Sequence, residues 1–585
     1  MDIFSIIALV GGLALFLFGM DYMGDSLKKL SGGQLESILQ KLASNRIKGF
    51  LLGFLVTAII QSSSATTVML VGFVNSGIMK LSQSIAIIMG ANVGTTVTAW
   101  LISTTGISAD STWLRLLKPE SFTPILAMIG VIMIMMCKSS KKKSIGSILV
   151  GFAVLMFGME TMSGAMSGLK DSETFKSILV MFENPVLGIL CGTILTAIIQ
   201  SSSASIGILQ ALSLTGAIPM ATALPVILGQ NIGTTITPVI SAISGNKDSK
   251  RVALSCVYIK FIGVVIVGGL FYLFDYLFDF SFMNGQASVF SIAVVHTMFN
   301  ILSTVILIPF CNFIEKLAIW SVRLDDVIVE DNLRVLDDRF LSVPGFALEK
   351  AKEIITEMMK HTGKSVYDAL DCLFSYNEKV EEDIKNLERL VDNYEDKLGA
   401  YLVKLAGHQL TEREANEVTA LLHIIGDAER ISDHACNLIG ASKEIYDKNI
   451  TFSPEAMKEI ETISNAIKEI IDITIKTIEK PDGHEYAIKI EPLEQVIDKL
   501  KYMLKKNHVA RLQNNKCTIE LGFVYSDIIT NFERIADHCS NIGVTVLQKG
   551  TESFEPHDYL SHVKYDGENN FKKLYDDYKK KYGIN

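Results

Sequence analysis

The 585-residue sequence predicts an all-α protein. Its first part is a helical membrane domain of two inverted repeats containing re-entrant or broken helices. Its second part is a soluble domain of two tandem three-helix bundles. Three observations predict this. Charge is unevenly spread: residues 1–320 carry 19 Lys and Arg against 14 Asp and Glu, and residues 321–585 carry 35 against 49. Long apolar runs fill the first half, and charged amphipathic helix patterns fill the second. Each half also repeats itself.

The first stretch, 3–20, lacks a basic n-region and a clean cleavage site, so it reads as a retained membrane span. The runs 49–60 and 65–79 meet at Gln61, Ser62, Ser63 and Ser64. A full crossing needs ~20 residues, so these runs form a re-entrant hairpin or a broken helix, covered by protein or lining a cavity. Spans at 84–103, 122–137 and 144–159 follow. An offset of 139 residues then lays "TAIIQSSSA" (196–204) on 57–65 and "ILGQNIGTTIT" (227–237) on "IMGANVGTTVT" (88–98). The second hairpin is therefore 186–199 with 204–218, and its span is 222–243. Two further apolar segments, 252–274 and 286–314, complete the membrane domain at about residue 322.

Basic loops orient the chain. "KSSKKK" (138–143), "NKDSKR" (246–251), Lys28 and Lys29 mark the cytoplasmic side, and the stretch 104–121 faces out. On this reading 3–20 and its partner 144–159 cross in opposite senses, so the repeats, about 3–103 and 144–243, are inverted. Inverted repeats with paired interrupted helices are a secondary-transporter architecture, with its site near the midplane.

The polar plugs suit an anion with alkali cations. Hydroxyls donate or accept, glutamine does both, and a broken helix offers N–H groups at one end and freed carbonyls at the other. The candidates are Gln61, Ser62, Ser63, Ser64, Thr66, Asn92 and Thr95 with Gln200, Ser201, Ser202, Ser203, Ser205, Asn231 and Thr234. Any one of these hydroxyls can equally serve helix packing. Asp21 and Glu160 occupy matching positions near helix ends, where interfacial solvation explains them as well as sodium binding does. Lys260 and His296 are lone ionisable residues in apolar segments, a default functional signal. An intramembrane hydrolase built on a plug serine lacks a matched base, so no enzyme is expected. The eight cysteines form no C-x-x-C pair, which argues against a disulfide framework or zinc site.

The doubled "QSSSA" segments, each followed by a "GxNxGTT" element, resemble the sodium–phosphate cotransporter family over about residues 1–315. The resemblance implies sodium-coupled movement of inorganic phosphate through a site built by both plugs. Sodium and phosphate are then the partners, the protein lies in the cell membrane, and no nucleic acid is involved. A phosphate exporter and a membrane-tethered phosphate sensor are the alternatives. The oligomeric state is open.

A polar link, 323–344, leads to the soluble half, 345–550, and a tail at 551–585. "DAERISDHACNLIG" (427–440) repeats as "NFERIADHCSNIG" (531–543), and "NLERLVDNYEDKL" (386–398) as "PLEQVIDKLKYML" (492–504). Each unit holds two E-x-x-x-D pairs: Glu388 and Asp392 with Glu429 and Asp433, then Glu494 and Asp498 with Glu533 and Asp537. Residues at i and i+4 share a helix face, so each pair projects two carboxylates one way. Four converging carboxylates repel unless cations neutralise them; the plain alternative is a solvated face. These motifs resemble the PhoU family of phosphate-signalling regulators. The resemblance implies a cytoplasmic sensor or gate carrying a multinuclear cluster of unspecified metal.

Overall fold

The computed structural model describes residues 3–31, 45–106, 119–167, 177, 179–243, 245–323, 332–449, 451–480, 483–514, 516–548 and 569–584. Among these residues there is no strand; an antiparallel bridge joins Pro219 and Gln286. Much of the 104–121 loop, part of the 323–344 link and the start of the tail lie outside the described residues. The chain divides into two compact units, Met1–Glu330 with Asp337–Phe346, and Asp331–Leu336 with Ala347–Asn585.

In the first unit, α1 (Ile3–Ser31) precedes α2 (Arg46–Ile60), α3 (Ser63–Asn75), α4 (Leu81–Gly94), α5 (Thr96–Ser103) and α6 (Pro119–Met136). The second repeat follows as α7 (Ser140–Met166), α8 (Pro185–Ile199), α9 (Ser202–Ser213), α10 (Met220–Gly233) and α11 (Ile236–Ala242). The bounds of α2 and α4 map onto those of α8 and α10 by the same 139-residue offset. At 15 residues, α2 is about 22 Å long against an apolar layer of roughly 30 Å. It stops inside, as the run length predicts. Then come α12 (Lys247–Gly263), which passes through a π-turn at Val264–Gly268 into α13 (Gly269–Phe278), α14 (Val289–Leu307) and α15 (Cys311–Ser321). Among the described residues, six helical stretches are long and apolar enough to cross a membrane: Ile3–Leu27, Leu81–Ser103, Lys141–Met166, Met220–Ala242, Lys247–Phe278 and Val289–Ser321. Large apolar side chains such as Phe4, Met135, Ile198 and Val305 point outward, while the middle of α4 is buried on all sides. That distribution suits a molecule solvated by lipid.

The inverted relation of the repeats is visible where α1 meets α7. Gly12 packs on Gly158 and Gly19 on Gly151, and Gly12 and Gly19 are the repeat equivalents of Gly151 and Gly158. Equivalent helices thus run antiparallel about a local two-fold axis. The approach is close: a methyl on Gly19 would lie 2.7 Å from the Gly151 carbonyl oxygen, and one on Gly158 would lie 2.7 Å from that of Gly12. Small residues permit such backbone contact where lipid supplies no hydrophobic drive.

The link is more than a polar connection. A 3-10 turn at Asp338–Ser342 belongs to the first unit. Phe340 is fully buried against Gly72 and Phe73, and Phe346 meets the Phe73 ring edge-on at 5.1 Å. Asn75 Nδ2 donates to Asp337 Oδ2 (2.8 Å), and Asn75 Oδ1 accepts from Ser249 Oγ (2.8 Å) and Asn246 N (3.0 Å). The aromatic and amide content that drives this docking was hidden by the charged residues around it.

The second unit consists of α16 (Pro344–Cys372, from Ala347 onward), α17 (Glu378–Ala406) and α18 (Glu412–Asp447), then α19 (Pro454–Glu479), short α20 (His484–Ala487), α21 (Ile490–Gln513) and α22 (Ile519–Leu547). Caps start the long helices where the sequence changes: Asn377, Thr411, Ser453 and Thr518 each accept from a first-turn N–H. Helices α18 and α22 pack across the two bundles through a reciprocal pair. His434 Nδ1 lies 2.9 Å from Asn531 Oδ1, and its repeat equivalent His538 lies 2.8 Å from Asp427 Oδ1, with the rings 5.7 Å apart. The tail contributes α23 (Asn569–Lys581), which rests on α21 with Lys499 over the Tyr575 ring at 5.3 Å.

Candidate functional site

The two plugs fold alike. Gln61 and Gln200 end α2 and α8 in the left-handed region, at φ 58° and 60°. A non-glycine residue held there is strained, and such strain clusters at binding sites. Ser62 and Ser201 then cap α3 and α9, accepting from Ala65 N and Ala204 N (both 3.2 Å). Each break is tied across by one hydroxyl pair, Thr57 to Thr66 (3.1 Å) and Thr196 to Ser205 (2.8 Å). Thr66 and Ser205 are fully buried in those ties. Thr95 donates to its own helix at the Ala91 carbonyl (2.9 Å).

The plugs also meet each other. Ser64 Oγ donates to the Gln200 carbonyl (3.3 Å), and Ser203 Oγ to Thr98 Oγ1 (3.4 Å). Thr98 Oγ1 in turn donates to Gln61 Oε1 (2.8 Å). Beside this junction lies a small cavity that is partly open to its surroundings. Its polar walls are Ser63, Ser64 and Thr67 of α3, Asn92 of α4, Thr234 and Thr235 at the α10–α11 break, and Cys256 and Lys260 of α12. Both repeats therefore build it, unequally. Of the residues singled out by sequence, Ser63, Ser64, Asn92 and Thr234 line it, and Asn231 stands behind, accepting from Lys260 Nζ (2.8 Å). Gln61, Gln200, Ser201, Ser202 and Ser203 belong to the breaks and their junction. Asp21 and Glu160 are exposed positions on α1 and α7. Among the described residues no carboxylate stands in the cavity walls, so hydroxyl and amide donors, the first turn of α3 and one ammonium favour an anion there.

In the second unit, Glu388 and Asp392 of α17 converge with Asp433 of α18: one ligand atom from each lies within 4.8 Å of the others. Burial, then Asp433, pushes the neighbouring Glu429 carboxyl up to about 7. Burial, then Asp392, raises Glu388. Arg430 relieves the cluster only in part, at 3.4 Å from Glu429 and 3.7 Å from Asp433. The second set differs. Lys501 pairs with Glu533, Arg534 lies 3.5 Å from Asp537, and burial, then Asp498, raises Asp537. Glu494 sits on α21 one turn before Asp498. Crowded carboxylates short of positive partners fit a bound cation in the first set; in the second, Lys501 already supplies charge.

The Na+/Pi-cotransporter family model matches residues 15–164 and 154–285, one match per repeat, and the PhoU domain model matches 355–440 and 460–546. The "Uncharacterized protein YqeW" of Bacillus subtilis is 31% identical over 253 residues, 43% of this chain and 78% of that protein. This chain belongs to the Na+/Pi-cotransporter family. Like the "Putative inorganic phosphate export protein YjbB" of Escherichia coli K12, 21% identical over 94% of this chain and 98% of that one, this family member matches along nearly its whole length. The "Sodium-dependent phosphate transport protein 2A" of Rattus norvegicus is 37% identical over 98 residues, 16% of this chain and 15% of that one. No solved structure matches significantly.

For this Na+/Pi-cotransporter family member, sequence reasoning missed Thr67 and Cys256 as cavity walls, held Thr235 only as part of the repeated GxNxGTT element, and marked Lys260 as a lone ionisable residue without joining it to the plugs. Thr67 follows Ser63 and Ser64 by one helical turn, a signal that was available. Cys256 and Lys260 are spaced i, i+4, but nothing local indicates that α12 closes the cavity.

Proposed function

We propose that this membrane protein is a sodium-coupled inorganic phosphate transporter working by alternating access about its paired breaks. The observation that carries the reading is the carboxylate-free cavity walled by both repeats. Family membership and the name of the rat relative support sodium and phosphate as the pair. The hydroxyls and backbone carbonyls around the two breaks are the ligands offered to sodium. The PhoU-like unit is cytoplasmic and regulates the carrier, and Glu388, Asp392, Glu429 and Asp433 hold a metal ion that neutralises their shared charge.

The test is radiolabelled phosphate flux in proteoliposomes with sodium, or choline in its place, on one side at a time. Uptake that follows the sodium gradient supports the reading. Equal flux in choline removes sodium coupling, and no phosphate flux in any condition removes transport. The name of the Escherichia coli relative favours a second reading, net export; flux down a phosphate gradient from the cytoplasmic face without sodium would support it.

A further inference from the structure

We propose that Lys260 is the fixed cation of the transport site, the group whose charge the bound phosphate neutralises. This rests on the phosphate-transport reading above and adds a residue that the repeated motifs do not contain. Lys260 is 7% exposed and lies on α12, four residues before the π-turn at Val264–Gly268, a distortion that recurs at functional sites. Its Nζ donates to Asn231 Oδ1 (2.8 Å) and Asn300 Oδ1 (3.1 Å). Both acceptors are neutral. Both are held in place, because Asn231 Nδ2 donates to the Ile227 carbonyl (3.0 Å) and Asn300 Nδ2 to the His296 carbonyl (2.8 Å). The two amides therefore orient the ammonium without cancelling its charge.

An ammonium has three N–H groups. Two are used, and among the described residues the third has no partner and the charge has no carboxylate. The same side chain walls the cavity beside Ser63, Ser64, Asn92 and Thr234. A buried charge without a counter-charge is strongly unfavourable, so a chain retains one where a ligand completes it. An oxyanion in this cavity would accept the third N–H and meet the donors of α3 on its other side. The charge that draws phosphate is then resident in the protein, and sodium need not supply all of it.

The experiment compares the purified wild type with Lys260→Met, Lys260→Arg, Cys256→Asp and Cys256→Asn in proteoliposomes. It reads the half-saturating phosphate and sodium concentrations separately, together with thermal stabilisation by inorganic phosphate in detergent. Losing a charged hydrogen bond to the ligand should raise half-saturating phosphate by about tenfold or more in Lys260→Met, with Lys260→Arg losing less. Cys256 precedes Lys260 by one helical turn on the same wall, so Cys256→Asp gives the ammonium a resident counter-ion. It should weaken phosphate binding far more than the neutral, similarly sized Cys256→Asn. A folded Lys260→Met with wild-type phosphate affinity overturns the proposal, as does a change confined to sodium affinity. If Lys260→Met does not fold, equal phosphate affinity in Cys256→Asp and Cys256→Asn overturns it. Wild-type flux reads the transport assignment by itself. A wild type that moves phosphate beside indifferent variants refutes Lys260 alone, and a wild type that neither moves nor is stabilised by phosphate refutes both.

Discussion

At the residue scale, equal letters in the two repeats are not equal in role. Gln61 and Gln200 share their backbone strain, yet the Gln61 amide is bonded to Thr98 and the Gln200 side chain is exposed. Gln61→Ala should therefore lower both phosphate transport and thermal stability, the latter by about 1 kcal/mol for the lost hydrogen bond, and Gln200→Ala should lower stability less. Transport and melting measured on the same preparations decide it; equal losses would mean that the asymmetry is without consequence. Glu429 makes a second residue-scale prediction. Its folded carboxyl is raised to about 7 against an ordinary value near 4.3. The folded state thus holds the proton more tightly, and this group's contribution is present below about pH 4.3 and lost as pH rises through about 7. Chelator-treated protein should show its second unit melting at lower temperature near neutral pH than near pH ~5. Glu429→Gln should flatten that dependence, and a divalent metal should restore the neutral-pH loss. A pH-independent melt that metal leaves unmoved would return these carboxylates to a solvated face.

At the element scale, the contact between α1 and α7 rests on four glycines related by the local two-fold axis. A methyl at Gly19 or Gly158 meets a carbonyl oxygen at 2.7 Å, and backbone cannot give way as a side chain can. Gly19→Ala and Gly158→Ala should each destabilise the first unit by about 1–3 kcal/mol, by similar amounts because the contacts are equivalent. Detergent melting curves check this, and a large difference between the two variants would mean that the repeats are not energetically symmetric. In the second unit the reciprocal His434–Asn531 and His538–Asp427 contacts make the same kind of two-fold joint. Both halves of the chain thus use duplication to bury matching faces of matching helices.

At the scale of the whole molecule, the boundary between units does not fall where the last apolar segment ends. Phe340 and Phe346 complete the aromatic packing on Phe73 within the first unit. Truncation after Val322 removes both rings, and emptying a buried phenylalanine site costs about 3–5 kcal/mol. Truncation after Phe346 keeps them. The longer truncation should give a monodisperse, phosphate-responsive membrane unit, and the shorter one an aggregating product; gel filtration of the two separates these outcomes. Flux through the longer form then tests whether the second unit regulates transport, and flux equal to that of the intact chain would mean that it does not gate the carrier.

Periodicity, run length and the repeat determined by themselves the helical class, the paired breaks after Ile60 and Ile199, and the antiparallel repeats. Those features depend on local backbone requirements: a 15-residue helix cannot span, and a polar plug cannot face lipid. The spacing of E-x-x-x-D likewise put Glu388 and Asp392 on one face, where Asp433 meets them. Only the tertiary structure decided which repeated hydroxyls open on the cavity, since both copies satisfy the same local rules and differ only in what packs beside them. It also decided that Lys260 closes that cavity and that Phe340 belongs to the membrane unit. Both follow from contacts between segments far apart in the chain, and no period along the sequence encodes which distant helix will supply the missing wall.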